Sequence, residues 1–349
     1  MDSEQTQTRI IQHQGRSREI DVYRGLAALV VVLGHYIPFW HDKFQSIPVI
    51  VPGSLGYYSV KLFFVISGFV IFMTLEKCET VRDFAVLRFS RLYPIYWSTL
   101  LLSVMLGYLL FEDRSLWAAG LLTNLTMFQE FLGYPNIDNV YWSLTVELAF
   151  YINVAILFAL GYHRKTKLCI LLWLIASCIW AVTSHEPGVR NDRNWAAIFL
   201  ALDYAPYFSM GIVLYEVTRT SWSLSWVALI VFALVTESLI ASWEGMIVGP
   251  TVFLLMYIAT HVRIGGLANP ITLWLGSISY ALYLIHRNTG YSMLSWAHQN
   301  GYGPLVSIVV STIVALVLAT LFTYYIEKPA SRKIRVTYEK WKRIQSPVA

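Results

Sequence analysis

Long apolar runs recur along the chain of 349 residues, and they limit its possible folds more than any other feature of the sequence. A helix that crosses a bilayer needs about 20 mostly apolar residues. We predict ten such helices, over residues 20–40, 57–76, 92–112, 142–161, 167–184, 196–217, 222–241, 246–261, 271–288 and 304–326. A weaker run over 115–132 is broken by polar residues, and we predict an interfacial or re-entrant segment there. The predicted fold class is an all-α polytopic integral membrane protein.

Composition excludes a soluble fold. Hydrophobic residues make up 56% of the chain and charged residues 13%, whereas soluble domains are about 25% charged. The net charge is +5, but the basic residues lie beside the apolar runs, so we expect no nucleic-acid partner. The three cysteines, Cys78, Cys169 and Cys178, have no spacing that indicates a disulfide framework or a metal site, and no metal is expected.

The distribution of Lys and Arg predicts the orientation. With ten spans and a cytoplasmic N-terminus, 19 of these residues fall in cytoplasmic stretches and 5 in outer loops. This bias favours both termini in the cytoplasm. We therefore predict a disordered cytoplasmic arm over 1–19, a membrane domain over 20–332 and a basic cytoplasmic tail over 333–349.

The first predicted helix carries Arg24 and His35, which are eleven residues apart. Eleven residues make about three helical turns, so both side chains leave one face, separated by roughly 16 Å along the axis. A neutral imidazole can act as a general base near pH 7, and an arginine can hold a phosphate. The alternatives are that His35 only packs, and that Arg24 and nearby Asp21 extend to the membrane interface.

Two further groups of charged residues are candidates for function. Arg88 and Arg91 are three residues apart at the cytoplasmic end of the third span, a spacing that suits a two-arginine clamp for phosphate. The alternative is ordinary positive charge at the cytoplasmic side. Glu147 lies inside the fourth span, where a carboxylate needs a partner and can orient an imidazole.

Other polar residues in the spans suggest structural roles. Lys61 lies near the outer end of the second span, and extension of its side chain to the interface is the preferred interpretation. Ser67 and Gly68 in the same span allow a close helix approach or a kink. His286 and Glu327 lie at the ends of the ninth and tenth spans, where both suit interfacial positions.

These residues lie in six segments that occur in the order of a known family. The segments are IDVYRGLAALVVVLGH at 20–35, KLFFVISGF at 61–69, RFSRLYPIYW at 88–97, WSLTVELAFY at 142–151, SYALYLIH at 279–286 and IEKP at 326–329. Together they resemble the membrane acyltransferase-3 family, bacterial O-acyltransferases that modify polysaccharides, lipopolysaccharide and macrolides. The resemblance runs from about residue 20 to 332 and describes a stand-alone member.

The resemblance implies transfer of an acyl group, usually acetyl, from cytoplasmic acyl-CoA to a sugar hydroxyl. The acceptor would be an exported polysaccharide or a lipid-linked glycan, and the enzyme would be a multi-pass protein of the bacterial inner membrane. By the same resemblance, Arg24, Arg88 and Arg91 bind the donor, and His35 and Glu147 are catalytic. Many family members carry Asp where this chain has Lys61, which removes any acidic role there.

Two other classes fit part of the pattern. A secondary transporter or exporter would also have about ten helices and buried charges, but such proteins often contain internal repeats. The sequence has no second copy of the Arg24–His35 helix or of the WSL segment. A polytopic acyltransferase of another class would share the chemistry without the ordered segments.

Overall fold

The computed structural model describes residues 2–44, 54–110, 117–183 and 194–345, and all regular structure within these ranges is helical. The prediction of an all-α fold is therefore confirmed. In chain order the helices are α1 (Asp2–Phe44), α2 (Ser54–Leu75), α3 (Val81–Leu110), α4 (Trp117–Leu125), α5 (Trp142–Ala159), α6 (Thr166–Thr183), α7 (Trp195–Phe199), α8 (Ala205–Arg219), α9 (Leu224–His261), α10 (Pro270–Gln299), α11 (Pro304–Phe322) and α12 (Lys328–Gln345).

Six helical segments are long and apolar enough to cross a membrane, which supports a membrane protein. They are Arg18–Phe44, Ser54–Leu75, Asn139–Ala159, Tyr162–Thr183, Leu224–His261 and Pro304–Gln345. The predicted count of ten spans is not confirmed by these criteria.

The predicted span over 196–217 is not one helix. It contains α7 and α8, separated by a turn in which Ala201 has a positive φ of 48°. Pro206 lies in the first turn of α8, where its missing N–H is tolerated, whereas the interior of a longer helix would lose a hydrogen bond. The 15 residues of α8 extend only about 22 Å, which is less than the roughly 30 Å hydrocarbon core.

Three other predictions concern where helices begin, break and end. The predicted spans 222–241 and 246–261 both fall in α9, on either side of Ser242, whose backbone is not helical. The nine residues of α4 make a helix too short to cross a bilayer, as predicted for the 115–132 segment. Helix α1 begins at Asp2, and the disordered cytoplasmic arm over 1–19 stays a prediction.

The chain divides into two compact units, and α1 and α10 each contribute to both. The first unit is formed by the described parts of 1–31, 54–73 and 163–279, and the second by the described parts of 32–53, 74–162 and 280–349.

In the first unit, α2 and α8 approach until their backbones touch. A Cβ atom on Gly68 would lie 2.2 Å from the carbonyl oxygen of Phe208, and one on Gly211 would lie 2.0 Å from that of Val65. Glycine is therefore required at both positions. The predicted close approach at Gly68 is confirmed, and α2 continues through it as one helix.

In the second unit, the end of α1 runs beside α10 in the same direction. The ring of Phe39 stacks on Tyr291 at 3.9 Å, and the ring of Phe44 stacks on His298 at 3.8 Å. Gly290 allows Tyr36 to pack against α10, since a Cβ atom there would lie 2.2 Å from the tyrosine ring. This packing fixes the part of α1 that carries His35.

Candidate active site

His35 meets a second histidine in the second unit. Its Nδ1 lies 3.3 Å from Nε2 of His286, and the two ring centroids are 4.9 Å apart in an edge contact. His286 is fully buried among the helices, and its predicted position at the membrane interface stays a prediction. The hydroxyl of Tyr36 donates to the backbone carbonyl of His286 at 2.8 Å, which ties α1 to α10 beside the pair.

Arg88 and Arg91 both lie on α3, as their spacing predicted. Arg88 donates to the Oγ1 of Thr74 at 3.0 Å, and its guanidinium lies over the rings of Phe84 and Tyr151. The buried Nε of Arg88 has no hydrogen-bond partner among the described residues. A buried N–H without a partner is costly, and this one is available to an acceptor.

Arg91 forms an ion pair with Glu327, and its guanidinium also lies 5.4 Å from the ring centroid of Tyr280. Glu327 is buried, with its side chain 3% exposed, whereas that of Arg91 is 31% exposed. The predicted interfacial position of Glu327 stays a prediction, but its side chain is buried in an ion pair. The carboxylate holds the arginine in place while leaving part of it open.

A third arginine, Arg335 on α12, completes an arginine cluster with Arg88 and Arg91. Its Nε donates to the Oγ of Ser90 at 3.0 Å, and its charge is close enough to Arg88 for the two to repel. Such convergence of positive charge is unfavourable unless an anion binds.

Glu147 lies on α5, with its carboxylate accepting a hydrogen bond from the hydroxyl of Tyr151. Tyr151 is also the ring beneath Arg88, and the Glu147 charge acts on the hydroxyl of Tyr280, as does Arg91. These contacts connect Glu147 to the arginine cluster. A catalytic role for Glu147, through His35 or directly, stays a prediction.

Helix α10 connects the arginine cluster to the histidine pair. Tyr280, which lies beneath Arg91, and His286, which contacts His35, are six residues apart on this helix. Six helical residues correspond to about 9 Å along the axis. The second unit therefore brings a cluster of arginines and a pair of histidines within a short distance of each other along one helix.

Arg24 belongs to the first unit. Its guanidinium pairs with Asp21 one turn earlier, at 3.3 Å, and the Arg24 side chain is 21% exposed. Continuous helix from Arg24 to His35 is present in α1, as their common face requires. The predicted donor-binding role of Arg24 stays a prediction.

The first unit also contains a buried lysine–glutamate pair. Lys61 is 3% exposed, so the preferred interpretation that it extends to the interface is wrong. Its Nζ lies 3.0 Å from Oε1 of Glu237, and Tyr207 donates to the same oxygen at 2.5 Å. The buried Oε2 of Glu237 has no partner among the described residues.

Sequence reasoning did not find three residues of this site. The sequence places His286 and Glu327 at the ends of apolar runs and Arg335 in the basic tail. These positions predict interfacial or tail residues rather than members of a site. The SYALYLIH and IEKP segments marked the first two as unusual, but pairing across more than 200 residues is set by helix packing. No local signal separates Arg335 from the other basic residues of the tail.

Comparison with known proteins identifies the family. Residues 17–324 match the acyltransferase domain family, which covers most of the chain. This chain belongs to the acyltransferase-3 family. The resemblance derived from the six ordered segments is thereby confirmed.

Individual acyltransferases are similar over different shares of the chain. Acyltransferase MdmB of Streptomyces mycarofaciens is 30% identical over 222 residues, which are 56% of this chain and 56% of that protein, so the match spans about half of MdmB. The O-acetyl transferase of Shigella phage Sf6 is 22% identical over 329 residues, 90% of this chain and 96% of the relative. A putative acetyltransferase of Acidianus two-tailed virus is 20% identical over 283 residues, 75% of this chain and 80% of the relative. No solved structure matches this acyltransferase.

Proposed function

We propose that this acyltransferase transfers an acetyl group from cytoplasmic acetyl-CoA to a sugar hydroxyl, with His35 as the general base. The acceptor is a polysaccharide on its way out of the cell or a lipid-linked glycan. The names of two relatives, O-acetyl transferase and putative acetyltransferase, support acetyl as the acyl group.

The observation that carries the proposal is the arrangement along α10. Arg91 lies over Tyr280 and His35 contacts His286, about 9 Å further along the helix axis. Coenzyme A has phosphates at one end and the thioester at the other end of a long, thin arm. Phosphates held by the arginine cluster would leave the arm free to reach His35.

The chemistry needs one base and one stabilised leaving group. The acceptor hydroxyl loses its proton to His35 while its oxygen attacks the thioester carbonyl. The carbon–sulfur bond breaks, and the proton passes from the imidazole to the departing thiolate. The ester remains on the sugar and the histidine is neutral again.

The location follows from the donor and the charge distribution. Coenzyme A is a cytoplasmic molecule, and the bias of Lys and Arg supports a cytoplasmic position for Arg88 and Arg91. We propose that the protein lies in the inner membrane with both termini in the cytoplasm. Periplasmic activity of a reporter fused after Ala349 would contradict this orientation.

The proposal is tested with His35→Gln, which keeps similar bulk and hydrogen bonding but cannot act as a base near neutral pH. Cells with the wild type should export glycans that carry the extra mass of one acetyl group, and cells with the variant should not. General-base assistance is worth about 10²–10⁴ in rate, so the variant should lose at least that much. Retained acetylation at the wild-type rate would show that His35 only packs, and Glu147 would be examined next.

A further inference from the structure

His286 is a fully buried histidine to which the proposed reaction gives no role. Its Nδ1 lies 2.7 Å from the backbone carbonyl oxygen of Tyr283. A carbonyl oxygen can only accept, so the hydrogen-bond network assigns the proton to Nδ1 of His286. Burying a charge costs far more than burying a neutral polar group, which favours a neutral ring.

The neutral tautomer of His286 determines that of His35. With its proton on Nδ1, His286 presents a lone pair at Nε2, which lies 3.3 Å from Nδ1 of His35. Only a protonated Nδ1 of His35 can donate to that lone pair. Neutral His35 then has its own lone pair on Nε2, the nitrogen on the other side of the ring.

The carbonyl that fixes His286 is itself anchored. The hydroxyl of Tyr283 lies 2.7 Å from Oγ of Ser143 on α5, and it donates at 3.1 Å to the carbonyl oxygen of Val140 in the turn that precedes α5. Ser143 is the serine of the WSLTVELAFY segment. A chain of contacts therefore leads from α5 through Tyr283 and His286 to His35.

We propose that His286 is a positioning residue that holds His35 in the Nδ1–H tautomer, so that Nε2 of His35 takes the proton of the acceptor hydroxyl. The inference rests on the proposed role of His35 as base. In the reaction the O–H bond of the acceptor breaks and an N–H bond forms at Nε2. The resulting imidazolium donates from Nδ1 to His286, and the Nε2 proton then passes to the coenzyme A thiolate as the C–S bond breaks.

Two substitutions separate hydrogen bonding from bulk. His286→Leu fills similar space but accepts no hydrogen bond, whereas the side-chain oxygen of His286→Gln can accept from Nδ1 of His35. We expect the Leu variant to lose at least about tenfold in kcat, less than the 10²–10⁴ lost with the base itself. The KM for acetyl-CoA should stay within twofold, and the Gln variant should recover most of the lost rate.

A spectroscopic measurement reads the tautomer without turnover. The protein is labelled with ¹⁵N-histidine and reconstituted in lipid nanodiscs, and the His35 signals are assigned by their loss in His35→Gln. We expect the Nδ1–H form of His35 in the wild type and in His286→Gln. In His286→Leu the signals should move toward the Nε2–H form.

His298→Leu is the matched control. His298 is also on α10 and packs against α1, with its ring stacked on Phe44 and in edge contact with Trp40. The same substitution there disturbs the same helix pair without touching His35. Its kcat and the His35 tautomer should equal those of the wild type.

The outcomes separate this inference from the proposed function. An unchanged kcat and an unchanged His35 tautomer in His286→Leu would overturn the role of His286 while leaving His35 as base. Equal losses of kcat in the Leu and Gln variants would also overturn the role of His286, because a hydrogen-bond acceptor at position 286 would then not affect the rate. Wild-type activity of His35→Gln would instead overturn the proposed function, whatever tautomer the spectra report.

Discussion

Two groups of charged side chains lie inside this acyltransferase, and they differ in charge balance and exposure. In the first unit, Lys61 and Glu237 form a one-to-one pair whose side chains are 4% and 1% exposed. The Lys61 ammonium also lies between 5.1 and 5.8 Å from the ring centroids of Tyr57, Tyr58 and Tyr207. In the second unit, the arginine cluster brings three guanidinium groups together.

We infer from this difference that the first group is a structural pair, and we propose that the second group binds the donor. The lysine–glutamate pair joins one positive and one negative side chain and lies among aromatic rings, and one oxygen of Glu237 has no hydrogen-bond partner among the described residues. The arginine cluster has an excess of positive charge over the carboxylates of Glu327 and Glu147, a partly open Arg91 and an unpartnered N–H on Arg88. Burial of charge alone therefore does not indicate function; unbalanced, accessible charge does.

The largest effect should come from breaking the lysine–glutamate pair. Lys61→Met leaves the Glu237 carboxylate buried without its cation, and loss of one partner of a buried pair costs about 3–5 kcal/mol. We expect the free energy of unfolding in detergent to fall by that amount. The acetyl-CoA affinity of the folded fraction should not change.

The double variant Lys61→Met with Glu237→Gln is the control for this prediction. It removes both charges, and the amide oxygen can still accept from Tyr207. Most of the lost stability should return. If the double variant were no more stable than Lys61→Met, the pairing of charge would not be what holds this region.

The next largest effect should be on donor binding. Arg88→Gln removes a charged donor to phosphate, and hydrogen bonds to charged groups are worth about 1.5–3 kcal/mol, or roughly 10- to 150-fold in Kd for acetyl-CoA. Arg91→Gln should also raise the Kd for acetyl-CoA. Because salt screens charged contacts, the difference in Kd between each variant and the wild type should become smaller as salt is added.

Arg82→Gln provides the comparison on the same helix. The Arg82 guanidinium lies over the ring of Trp341, 4.8 Å from its centroid, in a cation–π contact. Isothermal titration should give the wild-type Kd for this variant. Equal losses for Arg82→Gln and Arg88→Gln would mean that general positive charge, rather than the cluster, attracts the donor.

Arg335→Gln should weaken acetyl-CoA binding by a smaller factor. The Arg335 side chain is exposed, and exposed charge contacts are worth about 0.2–1 kcal/mol, which corresponds to roughly 1.5- to 5-fold in Kd. Lys333→Gln, on the same helix, should leave the Kd unchanged. An unchanged Kd for Arg335→Gln in low salt would remove α12 from the binding site.

The smallest effect on acetyl-CoA binding should come from Asp83, whose side chain bonds to Tyr338 and Lys342 of α12. Burial opposes ionisation of its carboxyl, but hydrogen bonds from Tyr338, Thr80 and Lys342 outweigh it and lower the pKa to about 2. A folded-state pKa below the unfolded one stabilises at pH above about 4, and this contribution is lost as the pH falls toward 2. Amide protection of α12, corrected for the intrinsic exchange rate, should decrease over this interval.

Asp83→Asn should lower the same protection at neutral pH and make it insensitive to pH between 4 and 2. Acetyl-CoA affinity should change no more than it does in Arg335→Gln, since Asp83 bonds to residues of α12 and not to Arg88 or Arg91 among the described contacts. Protection that does not change with pH in the wild type would mean that Asp83 does not hold this helix.

The helical fold and the family were accessible from the sequence because both depend on local signals. Apolar runs of the required length predict helices, and the six ordered segments placed Arg24, His35, Arg88, Arg91 and Glu147 on them. The broken helix at 196–217 was missed because its overall hydropathy hides Pro206 and the turn at Ala201.

The partners of the charged residues could not be predicted from the sequence. Lys61 pairs with Glu237 and Arg91 with Glu327, over separations of 176 and 236 residues. Such pairs depend on which helices are neighbours and on their rotation, and no single-sequence pattern encodes either. The assignment of Lys61 to the interface failed for this reason.

The central claim is that the arginine cluster binds the donor while His35 performs the transfer. The most direct measurement compares two quantities on the same nanodisc preparations: the Kd for acetyl-CoA, and the rate of transfer of labelled acetyl to glycans extracted from the producing cell. We predict that His35→Gln keeps the wild-type Kd and loses at least about 10²-fold in rate. In contrast, Arg88→Gln should raise the Kd for acetyl-CoA. A His35→Gln variant that transfers acetyl at the wild-type rate, or that loses affinity in parallel with rate, would contradict the account.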